Sequence, residues 1–292
     1  MLLKPDCIPC ILNMSLHYLH KLSLGEEQVH KIYEDILTLK PLRGEKWNIT
    51  SPEVIEPIME KIMSAVGSID PFAAEKEKQN QKMLTLYPEL QAMVKTAEHP
   101  LRTAAHLASL GNAIDIMLVG GDADIQKIIK EQLASPPPEN GFQILEKRIT
   151  NSSRILYFGD NAGEIVLDRL FIETIKKQHD TDITFVVRSL PTLNDATLKD
   201  SEQISMANLV PVIENGMDGP VPGTLLDRCS REVNNLFQEA DLIISKGGGN
   251  FDTLDELPEK HKNRISYLLL SKCRPYQEHF GVGLHQPILC HG

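Results

Sequence analysis

The chain has 292 residues, enough for one large domain or two modest ones with a sizeable core. Its formal net charge of -10 argues against nucleic acid and anionic membranes as partners, because an acidic surface repels both. No apolar run is long enough to span a membrane, no signal-peptide pattern opens the chain, and the five cysteines are few and odd in number. We therefore expect a cytoplasmic protein with reduced thiols rather than a disulfide framework.

The first part of the chain has the hydrophobic periodicity of helices. Predicted helices cover residues 11–22, 27–39, 52–66, 70–87 and 101–118, with turn signals between them. The stretch 134–141, with three consecutive prolines and a glycine, is the clearest loop. We therefore predict a helical N-terminal domain over residues 1–145.

Short β-rich runs alternate with helical ones in the remainder of the chain. Predicted strands cover residues 154–158, 182–187, 209–212, 241–245 and 266–270, and the helices between them include 165–177 and 225–240. Strands that alternate with helices build a parallel sheet with helices on both faces. The expected fold class is therefore α/β, with a Rossmann-like three-layer α/β/α domain and a mostly parallel sheet over residues 146–292.

The first predicted strand runs directly into Asp160 and Asn161, which lie between Gly159 and Gly163. In an open α/β sheet, ligands bind beyond the carboxyl ends of the strands. A carboxylate beside an amide can present oxygens to a hard divalent cation there. The competing interpretation is an Asx-turn that caps the following helix.

The second predicted strand is also followed by an Asn/Asp pair, Asn194 and Asp195. Taken alone, Asp195 also fits the role of a helix N-cap. If the two strands are neighbours, Asp160, Asn161 and Asp195 converge on one site. Three oxygen ligands completed by water suit Mg²⁺ or Mn²⁺.

The fourth and fifth predicted strands each run into a lysine. Lys246 precedes three glycines, Gly247 to Gly249, whose backbone N–H groups can approach an anion. The pattern matches neither a Walker loop nor a dinucleotide fingerprint. Lys272 follows the fifth strand, where a solvated surface lysine is the competing interpretation. A cation site, two lysines and a backbone nest at one sheet edge suit phosphoryl chemistry, because they neutralise the phosphate and its transition state.

Six segments, in order, resemble the damage-control metal phosphatases, a family formerly called domain of unknown function eighty-nine. The segments are residues 4–10, 111–115, 159–164, 191–197, 245–251 and 272–275. The resemblance spans nearly the whole chain. It implies a helical domain on a Rossmann-like domain, and metal-dependent hydrolysis of small phosphate esters such as sugar phosphates or damaged phosphometabolites.

The resemblance also implies roles for individual residues. The divalent metal ion, which can be Mg²⁺, Mn²⁺, Co²⁺ or Ni²⁺, is held by Asp160, Asn161 and Asp195. The phosphate is bound by Lys246 and Lys272, which complete the expected catalytic set. The expected substrate-binding set is Asn112, Asp115, Glu164, Gly247, Gly249 and Asn250. The nucleophile is a metal-activated water or one of the two aspartates acting covalently, and we favour water because both carboxylates are already ligands.

Two features depart from this picture or stand outside it. Gly248 occupies a place where relatives often carry a polar residue, and Asp252 one where they often carry a glutamate.

Cys7 and Cys10 form one C-x-x-C pair, which the resemblance implies is shared with a cysteine-bearing branch of the family. With no second pair, a four-cysteine zinc site is incomplete, so structural thiols, a metal site completed by other residues and a redox pair all remain open.

Two other functions compete with the phosphatase hypothesis. A nucleotide- or S-adenosylmethionine-dependent enzyme would use a similar sheet, but it predicts a glycine fingerprint after the first strand and an acidic residue after the second. This chain has a carboxylate-rich turn and Arg188 at those places. The other rival is a non-enzymatic metal sensor that works through Cys7 and Cys10. The sequence names neither the substrate nor the oligomeric state.

Overall fold

The computed structural model describes residues 1–111, 129, 133 and 139–292. The helices are α1 (Cys7–Lys21), α2 (Glu26–Leu37), α3 (Ser51–Val66), α4 (Ala73–Thr96), α5 (Pro100–Ser109), α6 (Glu139–Thr150), α7 (Glu164–Gln178), α8 (Leu198–Gln203), α9 (Arg231–Glu239), α10 (Gly247–Leu254), α11 (Glu259–Lys262) and α12 (Arg274–Phe280). The strands are β1 (Arg154–Phe158), β2 (Asp182–Val187), β3 (Val212–Glu214), β4 (Leu242–Lys246), β5 (Ile265–Leu270) and β6 (Pro287–His291). Among the described residues, no helix combines the length and apolarity needed to cross a membrane.

The strands form one sheet in the order β3-β2-β1-β4-β5-β6. The first five are parallel, and β6 runs antiparallel to β5. The strand order reverses between β1 and β4, which pair directly through Phe158 and Ser245. The crevice beyond this switch point is where ligands bind in doubly wound sheets. The predicted α/β class with a mostly parallel sheet is confirmed.

Helices cover both faces of the sheet. On one face, α4 to α7 pack against β1 in a cluster that includes Met83, Leu145, Tyr157 and Phe171. On the other face, α9, α10 and α12 form a second cluster. Helices α1 to α3 make a separate cluster that ends at Phe72. The division of the chain at residue 145 stays a prediction.

The predicted elements differ from the observed ones at several places, of which three have a clear local cause; residues 112–118 of the predicted helix 101–118 and residues 134–138 of the predicted loop lie outside the described residues. Helix α4 continues through Pro88 to Thr96, because Leu90 and Val94 extend the buried face of the helix. The predicted strand 209–212 is displaced to β3, because the residues before it form a short 3₁₀ turn that buries Met206. The predicted helix 225–240 begins later as α9, where the hydroxyl of Ser230 caps it by accepting a hydrogen bond from the backbone N–H of Val233.

Candidate active site

The loops that follow β1 and β2 pair with each other at the carboxyl edge of the sheet. The N–H of Ala162 donates to the carbonyl of Asn194 at 2.9 Å, and the N–H of Ala196 donates to the carbonyl of Asp160 at 2.7 Å. A β-bridge joins the residues between them, Asn161 and Asp195. The structure therefore brings together the three residues predicted as metal ligands.

All three of these side chains are buried. Asp160, Asn161 and Asp195 are 6%, 8% and 3% exposed. The amide of Asn161 donates to Asp160 Oδ2 at 3.1 Å. Asp195 does not cap α8, because that position belongs to Thr197, which forms a capping box with Asp200. The carboxylate of Asp195 is therefore available to the site.

Arg188, the residue directly after β2, contacts this cluster, and the sequence did not identify it as a site residue. Its Nε donates to Asp195 Oδ2 at 2.7 Å, and its Nη1 donates to Asn250 Oδ1 at 2.9 Å. Its Nη2 lies 3.7 Å from Asp160 Oδ1 and has no hydrogen-bond partner among the described residues. A charged residue that ends a buried strand was the signal in the sequence.

Lys246 is fully buried and engaged by two carboxylates. Its Nζ lies 2.5 Å from Glu164 Oε1 and 2.6 Å from Asp168 Oδ1. The hydroxyl of Tyr157 donates to the same oxygen of Asp168 at 2.7 Å. Burial lowers the pKa of Lys246, but the two carboxylates outweigh it, so the pKa lies above its ordinary value. Burial raises the pKa of Glu164 and Asp168, and Lys246 opposes that rise.

The structure pairs Lys246 and Glu164 with each other, a contact that the sequence did not predict. Lys246 bonds to a helix of the protein, and its role on a phosphate stays a prediction. Glu164, in the first turn of α7, holds this lysine. Asp168 was missed, although its spacing of four residues from Glu164 within an otherwise apolar helix face was visible in the sequence.

The predicted glycine-rich loop is the first turn of α10, which begins at Gly247. Gly247 has φ +76°, a conformation that favours glycine, and a Cβ placed there would lie 1.8 Å from Asp160 Oδ2. The carboxylate of Asp160 thus lies directly against the N-terminus of α10. The helix dipole favours negative charge at this end.

Asn250 and Gly249 fix α10 to its neighbours. The Asn250 amide donates to the carbonyls of Gly159 and Lys246 at 3.0 and 2.8 Å. The carbonyl of Pro222 would lie 1.8 Å from a Cβ at Gly249. Both residues hold the helix in place, and their roles in substrate binding stay predictions.

Lys272 follows β5 and is exposed, in contrast to Lys246. Desolvation lowers the pKa of Lys272, but nearby negative charges, above all the carboxylates of Asp160 and Asp252, together raise it above its ordinary value, so the ammonium form is favoured. Lys272 is therefore a charged group at the rim of the site, on the side that faces Asp160.

Gly248 and Asp252, the two residues that depart from the family pattern, both contact Tyr276 of α12. A Cβ on Gly248 would lie 2.6 Å from the tyrosine hydroxyl. That hydroxyl lies 3.0 Å from both the Gly248 carbonyl oxygen and Asp252 Oδ1, so the two acceptors share its one proton. The aromatic side chain thus occupies the space that a side chain at position 248 would need.

Cys7 and Cys10 lie in the first turn of α1, and all five cysteines are free thiols. Cys10 contributes to the electrostatic environment of Lys272, so this turn is close to the rim of the site. Asn112 and Asp115 lie outside the described residues. Gly111 is described, and it packs so closely on Glu164 that a Cβ would lie 2.1 Å from Glu164 Cγ.

The donor set fits a hard divalent cation. Four buried carboxylates (Asp160, Glu164, Asp168 and Asp195) face two buried cations (Lys246 and Arg188). Among the described residues, no group of three or more His, Cys, Asp and Glu side chains has the geometry of a metal site, and the proposed set has two carboxylates plus the amide of Asn161.

The doubly wound sheet, with buried carboxylates and cations beyond its switch point, defines an α/β protein with a candidate ligand site at that crevice. The chain belongs to the damage-control phosphatase ARMT1-like domain family, whose sequence profile matches residues 3–288. The family resemblance is thereby confirmed, and the cysteine-bearing branch stays a prediction.

The chain is also similar to individual proteins over nearly its whole length. The chain is 33% identical to an uncharacterised protein of Methanocaldococcus jannaschii, over 98% of this chain and 94% of that protein. It is 25% identical to a damage-control phosphatase of Archaeoglobus fulgidus, over 97% of each. A crystal structure of a DUF89 family protein from Pyrococcus horikoshii shares the fold, with a TM-score of 0.86 and 24% identity over 100% of this chain and 99% of that one.

Proposed function

We propose that the protein is a metal-dependent phosphatase that hydrolyses small phosphate esters in the cytoplasm. The observation that carries the proposal is the convergence of Asp160, Asn161 and Asp195 on one edge of the sheet, where all three side chains are buried. The family match favours this function over a nucleotide- or S-adenosylmethionine-dependent enzyme.

Each group of residues has a distinct task in this proposal. A bound Mg²⁺, Mn²⁺, Co²⁺ or Ni²⁺ supplies Lewis-acid polarisation of the phosphate. The two aspartates and Asn161 hold the ion, and Arg188 orients Asp195 through a 2.7 Å hydrogen bond. Lys272 approaches the phosphate from the rim, where its positive charge offsets the charge of the transferring group. Water is the expected nucleophile, because both aspartates serve as ligands.

The first turn of α10 is the other anion-binding element. Its first N–H groups have no partner within the helix, and they carry the positive end of the helix dipole. Lys246 lies beneath this turn in its pair with Glu164 and Asp168. We expect substrates of the size of sugar phosphates or damaged phosphometabolites, as the family resemblance implies.

The test is a phosphate-release screen over sugar phosphates and phosphorylated cofactor fragments, each with Mg²⁺, Mn²⁺, Co²⁺ and Ni²⁺. The variant Asp160→Asn removes one ligand charge with little change in shape, so it should abolish turnover and Mn²⁺ binding together. Asp182→Asn is the matched control, because Asp182 lies at the amino end of β2. Wild-type turnover by Asp160→Asn would refute the proposal.

A further inference from the structure

One side chain of helix α4, Asn80, contacts both the loop after β1 and the helix that follows the β2 loop. Its Oδ1 accepts a hydrogen bond from the N–H of Gly163, in the loop after β1, at 2.6 Å. Its Nδ2 donates to Asp200 Oδ1 at 3.1 Å and to Gln203 Oε1 at 2.8 Å. Both acceptors belong to α8, the helix that follows the β2 loop. Asn80 is fully buried, at 0% exposed.

Asp200 connects this contact to the loop of Asp195. Its Oδ2 accepts hydrogen bonds from the N–H and the hydroxyl of Thr197, at 2.9 and 2.7 Å. Lys76, also on α4, places its Nζ 3.2 Å from the same oxygen. Thr197 lies two residues after Asp195 in the chain. Asp200 therefore links α4 to the chain segment that directly follows Asp195.

The amide of Asn80 supplies the one acceptor and the two donors that its neighbours use. The N–H of Gly163 needs an acceptor, and the carboxylate of Asp200 needs a donor. An aspartate at position 80 would place a second carboxylate against Asp200. An apolar residue would leave the buried N–H of Gly163 without a partner, which carries a desolvation cost.

We propose that Asn80 is a positioning residue for the metal site. One amide sets the distance between the loop that carries Asp160 and the loop that carries Asp195. Asn80 acts through Gly163 and Asp200, and its hydrogen bonds are to these residues and Gln203. The inference rests on the proposed function in one respect, because the divalent cation is the ligand whose binding reports the positions of the loops.

The experiment compares the variants Asn80→Ala, Asn80→Asp and Asn80→Asp/Asp200→Asn with the control Gln91→Ala. Gln91 also lies on α4, and its side chain donates to Glu173 Oε2 of α7 at 3.0 Å, away from both loops. Two quantities are measured: the dissociation constant for Mn²⁺ alone, by calorimetry, and hydrogen exchange at the N–H groups of Ala162 and Ala196. Those two groups bridge the loops, so their exchange reports loop pairing without any metal.

We expect both single variants at position 80 to weaken Mn²⁺ binding by about 10-fold or more, as for residues that orient metal ligands. Exchange at both bridging N–H groups should accelerate. In the double variant, the amide introduced at position 200 can donate to the carboxylate introduced at position 80. This variant should therefore recover part of the Mn²⁺ affinity. Gln91→Ala should leave both quantities unchanged.

Three results would overturn the proposal. The first is wild-type Mn²⁺ affinity in Asn80→Ala, and the second is equal weakening in Gln91→Ala. If Asn80→Ala does not fold, the other two variants decide, and a double variant no better than Asn80→Asp is the third. A wild-type protein that binds no divalent cation would refute the proposed function instead. Hydrogen exchange at the N–H groups of Ala162 and Ala196 would then be the deciding measurement. Unchanged exchange rates in the variants at position 80 would overturn the positioning role.

Discussion

The guanidinium of Arg188 lies between the carboxylates of Asp195 and Asp160, 2.7 Å from one and 3.7 Å from the other. All three groups are buried, so the two like charges repel in a medium that screens them weakly. Burial raises the pKa of Asp195, and Arg188 opposes that rise. The arginine therefore supplies part of the positive charge that a bound dication would add to.

Replacing Arg188 by methionine should destabilise the metal-free protein by about 3 kcal/mol or more, because it leaves buried carboxylates without their cation. Saturating Mn²⁺ supplies positive charge at the same carboxylates, so the difference in melting temperature from wild type should shrink. The measurement is thermal unfolding in EDTA and in Mn²⁺. Arg154→Met is the control, because Arg154 pairs with Glu239 on the surface, where such pairs contribute little. A gap that is the same in both conditions would contradict this electrostatic account.

The main effect of Lys246→Met should be a loss of folding stability. The substitution leaves Glu164 and Asp168 buried together without the ammonium that lies within 2.6 Å of both, at a cost of about 3–5 kcal/mol. Denaturant unfolding of the metal-free protein measures this loss directly. The opposite result, wild-type stability with a higher KM, would mean that Lys246 acts on the substrate rather than within the protein.

Lys272→Ala should leave folding stability nearly unchanged and weaken the binding of phosphate. The side chain is exposed at the rim, so the free energy of unfolding should change by no more than about 0.5 kcal/mol. Loss of its charge should raise the KM for a phosphate ester and weaken inhibition by inorganic phosphate. Steady-state kinetics at several phosphate concentrations test both effects. Unchanged kcat/KM would exclude Lys272 from the phosphate site.

The positions of the predicted metal ligands follow from signals that lie close together in the sequence. A buried strand that ends in polar residues identifies Asp160 and Asp195, and parallel strands place their carboxyl ends at one edge. The parallel pairing of β1 with β2 then brings the two loops together. The roles of these residues stay predictions, because geometry alone does not show what they bind.

The partners of those residues were not predictable in the same way. Lys246 was recognised at the end of β4, but its carboxylate partners lie about 80 positions earlier, on a helix whose buried face is fixed only by packing. Asn80 contacts Gly163 from a similar distance along the chain. Such pairs depend on how α4 and α7 pack on the sheet, which periodicity does not determine. Strand β6 was missed because it is a short edge strand that begins with Pro287.

Gly247→Ala should weaken Mn²⁺ binding by about 10-fold or more, because the added Cβ would collide with Asp160 Oδ2 and displace a proposed ligand. Gly281→Ala is a close control. Gly281 has a similar backbone conformation, φ +66° against +76°, but its Cβ would meet nothing within 4 Å. Both variants should lose about 1 kcal/mol of stability to backbone strain, Gly247→Ala should lose more because of the collision, and only Gly247→Ala should lose metal affinity. Calorimetry with Mn²⁺ and denaturant unfolding separate the two effects, and equal affinities in the two variants would count against Asp160 as a ligand.

His106, on α5, should make the protein sensitive to acid. Its ring is buried beside Phe142, Nε2 has no hydrogen-bond partner among the described residues, and burial lowers its pKa to about 4. A histidine in the unfolded chain titrates near 6.5, so below that pH the unfolded state binds a proton that the folded state excludes. Stability should therefore fall as the pH drops from about 6.5 to about 4, by up to about 3 kcal/mol from this residue.

His106→Leu removes this contribution and keeps an apolar side chain in the buried position. The free energy of unfolding in urea, measured at pH 7, 6 and 5, should fall less steeply with acid in the variant than in wild type. Subtracting the two curves cancels the carboxylates with raised pKa values, such as Asp252, whose contributions have the opposite sign. His30→Gln is the control for removal of a histidine from an exposed position, because the side chain of His30 is 71% exposed. Parallel curves for His106→Leu and wild type would show that His106 is protonated in the folded protein, or that its burial does not shift its pKa.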